Sequence, residues 1–382
     1  MLILAAVLAI FVYGLIAPML GALLPTYLLN PGQEGNVATA QAVGLVISSL
    51  STGPFIDLKG NKAALLTGLS LVAISLFAAP NAGGYVGLIF VYLVLGMGGG
   101  IVVTAGNALV GAVEPTRRGS ALNFLNLFFG LGGIVTTFAA SYLFGPVVLC
   151  YSIAALTVIA LVVNVATKMP GPAGAASFRL NEVPALLSRP ILILLSFFLF
   201  LYVACEVGMW NWLKKYLITV NFDPKTAGGV VSYGFALGLA VGRLVFSRLL
   251  VRISALTVLL FASIAIAVTT YAVFSFSTST AVTAAVFCSG LAMAPVFPTT
   301  LAIAQDAFPR GTATALGIVI TCGWLGLVVS SPIIGNVSAN STLHKALLIL
   351  PFFAVVMIAT ILVLRALLRR PAADMALAPE VR

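Results

Sequence analysis

Glu206 is the residue of this chain whose chemistry most needs an explanation. It lies within PILILLSFFLFLYVACEVGMWNWLKKYL, residues 190–217, an apolar run longer than the about 20 residues that cross a bilayer. The other eight of the nine acidic residues fall in loops or at the ends of apolar segments. An ionised carboxylate at membrane depth costs at least about 2.5 kcal/mol, so such groups face a cavity or a partner. Helical spacing puts Tyr202, Glu206 and Trp210 on one face, an acid between two rings with polar tips. The chemistry on offer is uptake of a proton or coordination of a cation such as sodium. The packing alternative is a neutral acid hydrogen-bonded between helices.

The elements that must hold this face are membrane spans. Of 382 residues, 61% are hydrophobic and 7% charged, against about 25% charged in a soluble domain. An all-α polytopic membrane protein follows, not a nucleic-acid binder, despite a formal charge of +10. Apolar runs place spans at 4–28, 37–57, 63–80, 85–113, 120–143, 146–167, 190–213, 226–247, 255–276, 280–304, 313–336 and 344–366, twelve in all. The first is read as a retained span, not a cleaved signal. Residues 1–167 and 190–366 form two six-helix halves, joined by a linker at 168–189 and followed by a tail at 367–382. Basic residues are read as lying in the loops, 15 on the side of both termini and 4 opposite. The positive-inside rule then puts both termini in the cytoplasm, and the inner, plasma membrane is the expected location.

Cys150, Cys205, Cys288 and Cys322 all sit in apolar runs and are expected to be small buried side chains. No metal constellation, no organic cofactor and no nucleophile–base pair is expected. The glycine run 96–100 has no preceding strand and reads as close helix packing.

The halves repeat. Glu114, Arg118, Gly119, Ser120 and Ala121 match Asp306, Arg310, Gly311, Thr312 and Ala313, and the turn from Gly53 to Lys62 matches that from Gly242 to Arg252. Parallel six-span repeats with pseudo-two-fold symmetry suggest a transporter whose halves rock about a midplane site.

The turn GPFIDLKGNK (53–62) resembles the loop between the second and third helices of major facilitator superfamily transporters. GMGGGIVVTAGNALVG (96–111), RRGSALNFLNLFFGLGG (117–133), APVFPTTLAIA (294–304) and YVACEVGMWNWLKKYL (202–217) together resemble the fucose–glucose–galactose:cation symporter branch. The resemblance implies a twelve-helix fold and alternating-access transport, with H+ or Na+ driving uptake of a hexose by a monomer in the lipid bilayer. Fucose-type members carry acids where this chain has Gly21 and Val103; Glu206 matches the helix-seven acid of glucose/galactose-type members. Coupling therefore falls on Glu206.

A sugar needs amides for its hydroxyls and rings for its C–H surface. Asn107, Asn126, Gln41, Thr104, Tyr202, Trp210 and Trp324 are the candidates, with helix–helix hydrogen bonding the alternative for the asparagines. Asp57, Glu114, Arg118, Asp306 and Arg310, at matching helix ends, resemble a cytoplasmic gate; ordinary topology charge is the alternative. Two other functions are weighed: export of an amphipathic or lipid-like compound by cation antiport, suggested by the nearly apolar first span, and a non-transporting membrane sensor or enzyme.

Overall fold

A computed structural model describes residues 1–23, 27, 29, 31–171, 183–276, 278–309 and 311–368. Its helices are α1 Leu2–Ile16, α2 Met19–Leu23, α3 Pro31–Ala78, α4 Tyr85–Val113, α5 Arg118–Tyr142, α6 Pro146–Ala166, α7 Val183–Leu187 and α8 Pro190–Thr219. There follow α9 Pro224–Gly229, a π-helical segment Val230–Ala236, α10 Leu237–Leu249, α11 Ala255–Ser275, α12 Ser279–Met293, α13 Val296–Ala307, α14 Thr312–Asn340, α15 Leu343–Leu347 and α16 Ile349–Leu368. No strand is present among the described residues. A bilayer interior leaves no water for backbone groups, so helices that satisfy their own are what such a composition forms.

Ten of these helical stretches are long and apolar enough to cross a membrane. One of them, Asn36–Asn81, counts twice, because α3 breaks at Gly60 (φ 85°, ψ 162°), a conformation that glycine adopts without penalty. With the shorter apolar α1, the spans come to twelve.

The interruptions have local causes. The span expected at 4–28 stops at Ile16, where Ala17 and Pro18 form a turn before α2; Pro18 has no N–H to continue the ladder. The tenth span divides between Met293 and Val296. Its break falls at Ala294–Pro295, while Pro298 sits in the first turn of α13, where its missing N–H costs nothing. The seventh span runs on to Thr219, so Lys214 and Lys215 ride on the helix end rather than in a loop. There the Lys215 ammonium lies 5.5 Å from the Trp212 ring. Asp223 caps α9, accepting from the N–H groups of Lys225 (3.0 Å) and Thr226 (3.1 Å). Of the linker, 172–182 lies outside the described residues.

Packing follows the small residues. A Cβ at Gly96 would collide with the Gln41 carbonyl of α3, and one at Gly98 or Gly100 with Gly68, Val72 or Ser48; the glycine run is a helix contact, as expected. Cys150 and Cys205 are buried, Cys322 is half-buried, and Cys288 is exposed, contrary to expectation, on the outer face of α12. Lys62, read as a topology charge, also caps α6: its Nζ donates to Val165 O (2.7 Å) and Thr167 O (3.0 Å). Helices up to α6 pack mainly on one another, as do those from α8 onward. The two groups meet where α3 lies against α14 and α5 against α10 and α13.

Candidate functional site

Glu206 sits near the middle of α8 and is 9% exposed. Facing it is Arg243 of α10, 2% exposed, with Nη2 3.8 Å from Glu206 Oε1. This corrects the sequence reading, which counted Arg243 among loop charges: it lies inside the helix, lowering the count on that side to fourteen without reversing the bias. The signal was present, since LGLAVGRLVF flanks Arg243 with apolar residues on both sides, five positions before Arg248. A terminal span position hid it.

The guanidinium reaches across to the other group of helices. Its Nη1 donates to the backbone carbonyl of Asn126 on α5 (2.9 Å), and its Cζ lies 5.1 Å from the centre of the Phe129 ring, a cation–π contact. Phe129 stacks on Tyr13 of α1 at 5.2 Å, and Tyr13 meets Trp324 of α14 edge-on at 6.4 Å. Tyr202, fully buried one turn before Glu206, lies within electrostatic reach of both Glu206 and Arg243; the Tyr13 hydroxyl lies within reach of Glu206. Trp210, one turn beyond Glu206, packs edge-on against Phe235 of the π-helical segment at 5.2 Å. Such π segments often occur at functional positions.

The candidate amides meet each other. Asn126 Nδ2 donates to Asn107 Oδ1 (2.8 Å) and Leu122 O (2.9 Å), while Asn107 Nδ2 donates to Val103 O (2.8 Å). Both are buried, as is Thr104, whose hydroxyl has no hydrogen-bond partner. Gln41 is half-buried at the α3–α4 contact, and Trp324 is half-buried with its indole N–H unpartnered. The structure thus places Asn107, Asn126, Tyr202 and Trp324 around the Glu206–Arg243 pair or its immediate neighbours, with Trp210 beside it and Gln41 at a neighbouring helix contact.

Toward the basic ends of the spans, α5 continues the seam. Asn123 Nδ2 donates to Thr299 Oγ1 of α13 (3.2 Å), Ser120 donates to Ser247 O of α10, and Arg118 pairs with Asp306. Gln305 Nε2 donates to Asn107 O (3.2 Å). Asp57 of α3 accepts from Thr314 Oγ1 (2.8 Å) and Thr314 N (3.3 Å) on α14. Glu114 lines a recess of about 420 Å³ with Arg117 and Arg248. Arg310 lies outside the described residues, as does Pro25 after Gly21.

Among the described residues no group of three metal-ligating side chains converges. What the arrangement can do is hold or release one proton or cation at Glu206, against a fixed cation, on a seam between two sets of helices.

A sequence model of the Major Facilitator Superfamily matches residues 2–331 and, again, 217–381. The chain is 26% identical over 374 residues to Bypass of stop codon protein 6 of Saccharomyces cerevisiae, covering 85% of this chain and 74% of that protein. It is 24% identical over 343 residues to the 3-(3-hydroxy-phenyl)propionate transporter of Escherichia coli, covering 84% and 82%. Among solved structures, the E. coli fucose:proton symporter superposes with a TM-score of 0.80 at 17% identity, over 95% of this chain and 98% of that one.

Proposed function

This chain belongs to the Major Facilitator Superfamily, and from that premise we propose that it takes up a small solute of the sugar class, coupled to a proton or sodium ion, with Glu206 as the coupling group. It is a transporter rather than an enzyme. The observation that carries the coupling role is the buried pair itself: Glu206 and Arg243 face each other at 3.8 Å in the membrane interior. There an acid and a base are retained for ion pathways more often than for stability. Arg243 supplies the charge that Glu206 balances when ionised. The carboxylate leaves that partnership when it takes up the coupling ion, and Tyr202 and Tyr13 line its surroundings. The fold shared with a fucose:proton symporter supports a sugar. We further propose that the protein works as a monomer in the plasma membrane, with the basic span ends and both termini in the cytoplasm.

In proteoliposomes, Glu206→Gln is expected to abolish concentrative uptake and to leave exchange of solute across the membrane in place. Concentrative uptake at the wild-type rate would remove Glu206 from this role. Thermal shift of the purified protein across a hexose panel, with and without sodium, tests the solute and the ion; no shift with any hexose would remove the neutral-sugar assignment. The amphipath-export reading draws on α1, where Tyr13 faces an otherwise apolar helix; it expects a lipophilic cation, rather than a hexose, to give the shift.

A further inference from the structure

Arg243 is only partly satisfied where it sits. Nη1 donates to Asn126 O, but Nε has no acceptor and Nη2 reaches Glu206 only at 3.8 Å, beyond hydrogen-bond length. Nε and Nη2 form one edge of the guanidinium, two parallel N–H donors with the spacing of a carboxylate's oxygens. At 2% exposure the residue is almost fully buried, and Nε has no accessible surface of its own. A buried charged donor without an acceptor is costly, so the edge is built for an anion that the resting geometry does not fully supply.

We propose that the Nε–Nη2 edge of Arg243 is the substrate's recognition point and that the substrate carries one carboxylate: a small monocarboxylate, a sugar acid or an arylalkanoate, instead of a neutral hexose. The proposal rests on Glu206 as the coupling group and, at that same site, replaces the neutral sugar of the reading above with a solute that carries a carboxylate.

The charges give the reason. With Glu206 ionised, the pair is neutral, and a second carboxylate would bring uncompensated negative charge into a buried site. A proton from solvent adds to a Glu206 carboxylate oxygen and neutralises it. Arg243 is then left with an uncancelled positive charge, which the incoming carboxylate cancels through two N–H···O bonds. A neutral sugar could accept hydrogen bonds there, but it would leave the charge standing. When the solute departs and Glu206 gives up its proton, the original pair re-forms. One proton and one monoanion cross together, and no net charge moves. Among the described residues Tyr202 and Tyr13 also lie within electrostatic reach of Glu206, and free phenols are uncharged at neutral pH. The rings of Phe129, Tyr13 and Trp324 give the body of such a solute an apolar wall. Because Asn126 and Phe129 stand on α5 and Arg243 on α10, an anion on this edge sits on the seam between the two sets of helices.

The test is titration calorimetry on the purified full chain with two matched pairs, glucuronate against glucose and 3-phenylpropionate against 3-phenylpropanol. At least one acid is expected to bind roughly 10- to 150-fold tighter than its neutral partner, the span for a charge-assisted bond of about 1.5–3 kcal/mol, and to take up one proton from buffer on binding. Arg243→Lys keeps the charge without the fork and should lose most of that preference. Glu206→Gln should bind the acid without taking up a proton. The double variant Glu206→Gln/Arg243→Gln, which keeps the buried pair neutral, guards against misfolding and should bind neither acid preferentially. In proteoliposomes a pH gradient should drive acid uptake and an imposed membrane potential should not. If neither acid is preferred, or if the preference survives Arg243→Lys, the carboxylate assignment falls while Glu206 coupling stands. If Glu206→Gln still concentrates solute, the coupling reading falls and takes this proposal with it.

Discussion

A buried cation and a buried acid on facing helices set the terms at the scale of single residues. Stripping either partner leaves the other as an uncompensated charge, which typically destabilises by about 3–5 kcal/mol, whereas removing both is far milder. Glu206→Gln and Arg243→Gln are therefore each expected to lower the melting temperature in detergent more than the double variant does. Equal or additive losses would mean the 3.8 Å pair is not energetically coupled. A second residue-scale expectation concerns Asn126 and Asn107, joined by a 2.8 Å bond. Intramembrane side-chain bonds average about 0.6 kcal/mol, so Asn107→Ala and Asn126→Ala should cost little stability and be non-additive. If the amides also serve the solute, each should weaken its binding roughly 5- to 150-fold, the effect of losing about 1–3 kcal/mol; calorimetry beside melting curves separates the two. Legibility at this scale was uneven. Glu206 stood out because the cost of a carboxylate in an apolar run is independent of its neighbours. Arg243 did not, because a basic residue a few positions from a span end reads like any topology charge, and only the three-dimensional packing shows that it turns inward.

Helix boundaries were most legible where a single apolar run had clear flanks: Tyr85–Val113 was read to the residue. The less legible features are backbone decisions inside a run. The turn at Ala17–Pro18 and the π-helical stretch 230–236 leave hydropathy almost unchanged, so an apolar count passes over them, whereas Pro295 and Pro298 mark the division of the tenth span in the sequence itself. Cys288 is exposed for a similar reason: in lipid, an apolar run does not reveal which of its faces is inward. Small residues carry element-scale information of another kind, because they record how closely two helices approach. A Cβ on Gly317 of α14 would fall 2.6 Å from Ser49 O of α3, and one on Gly53 would meet the Ala313 carbonyl and Thr314 Cα. Those are backbone atoms, which cannot swing aside as a side chain does. Gly317→Val is therefore expected to force α3 and α14 apart and to reduce transport while leaving folding largely intact, because each helix keeps its other partners. Wild-type transport by the valine variant would show that the close α3–α14 approach is dispensable to the cycle.

At the scale of the whole molecule, the repeat of Glu114–Ala121 in Asp306–Ala313 made the two-fold arrangement legible, since matched polar turns are rare by chance in so apolar a chain. The pairing itself was not. The repeat aligns Arg118 with Arg310, but the partner of Arg118 in space is Asp306, across the seam, and among the described residues Asp57 accepts from Thr314. Both contacts join the two sets of helices near the basic span ends, so both favour the arrangement in which that end is shut. A carboxylate accepting hydrogen bonds is roughly twice as strong an acceptor as a neutral group. Asp57→Asn should weaken its bond to Thr314, and Asp306→Asn should remove the attraction to Arg118. Each therefore shifts the population toward forms open at the basic end, and together they shift it further. A shift can be no larger than the difference in stability the lost contact made between the two forms, about 1.5–3 kcal/mol for one charge-assisted bond. Spin labels placed on Leu58 or Lys59, beside the Gly60 break, and on the exposed turn 251–254 should report a larger fraction of long distances in each variant and the largest in the pair, with solute reversing part of the change. Distance distributions identical to the wild type in all three would return Asp57 and Asp306 to the role of ordinary topology charges and leave the closing of that end to the backbone contacts of α3 with α14.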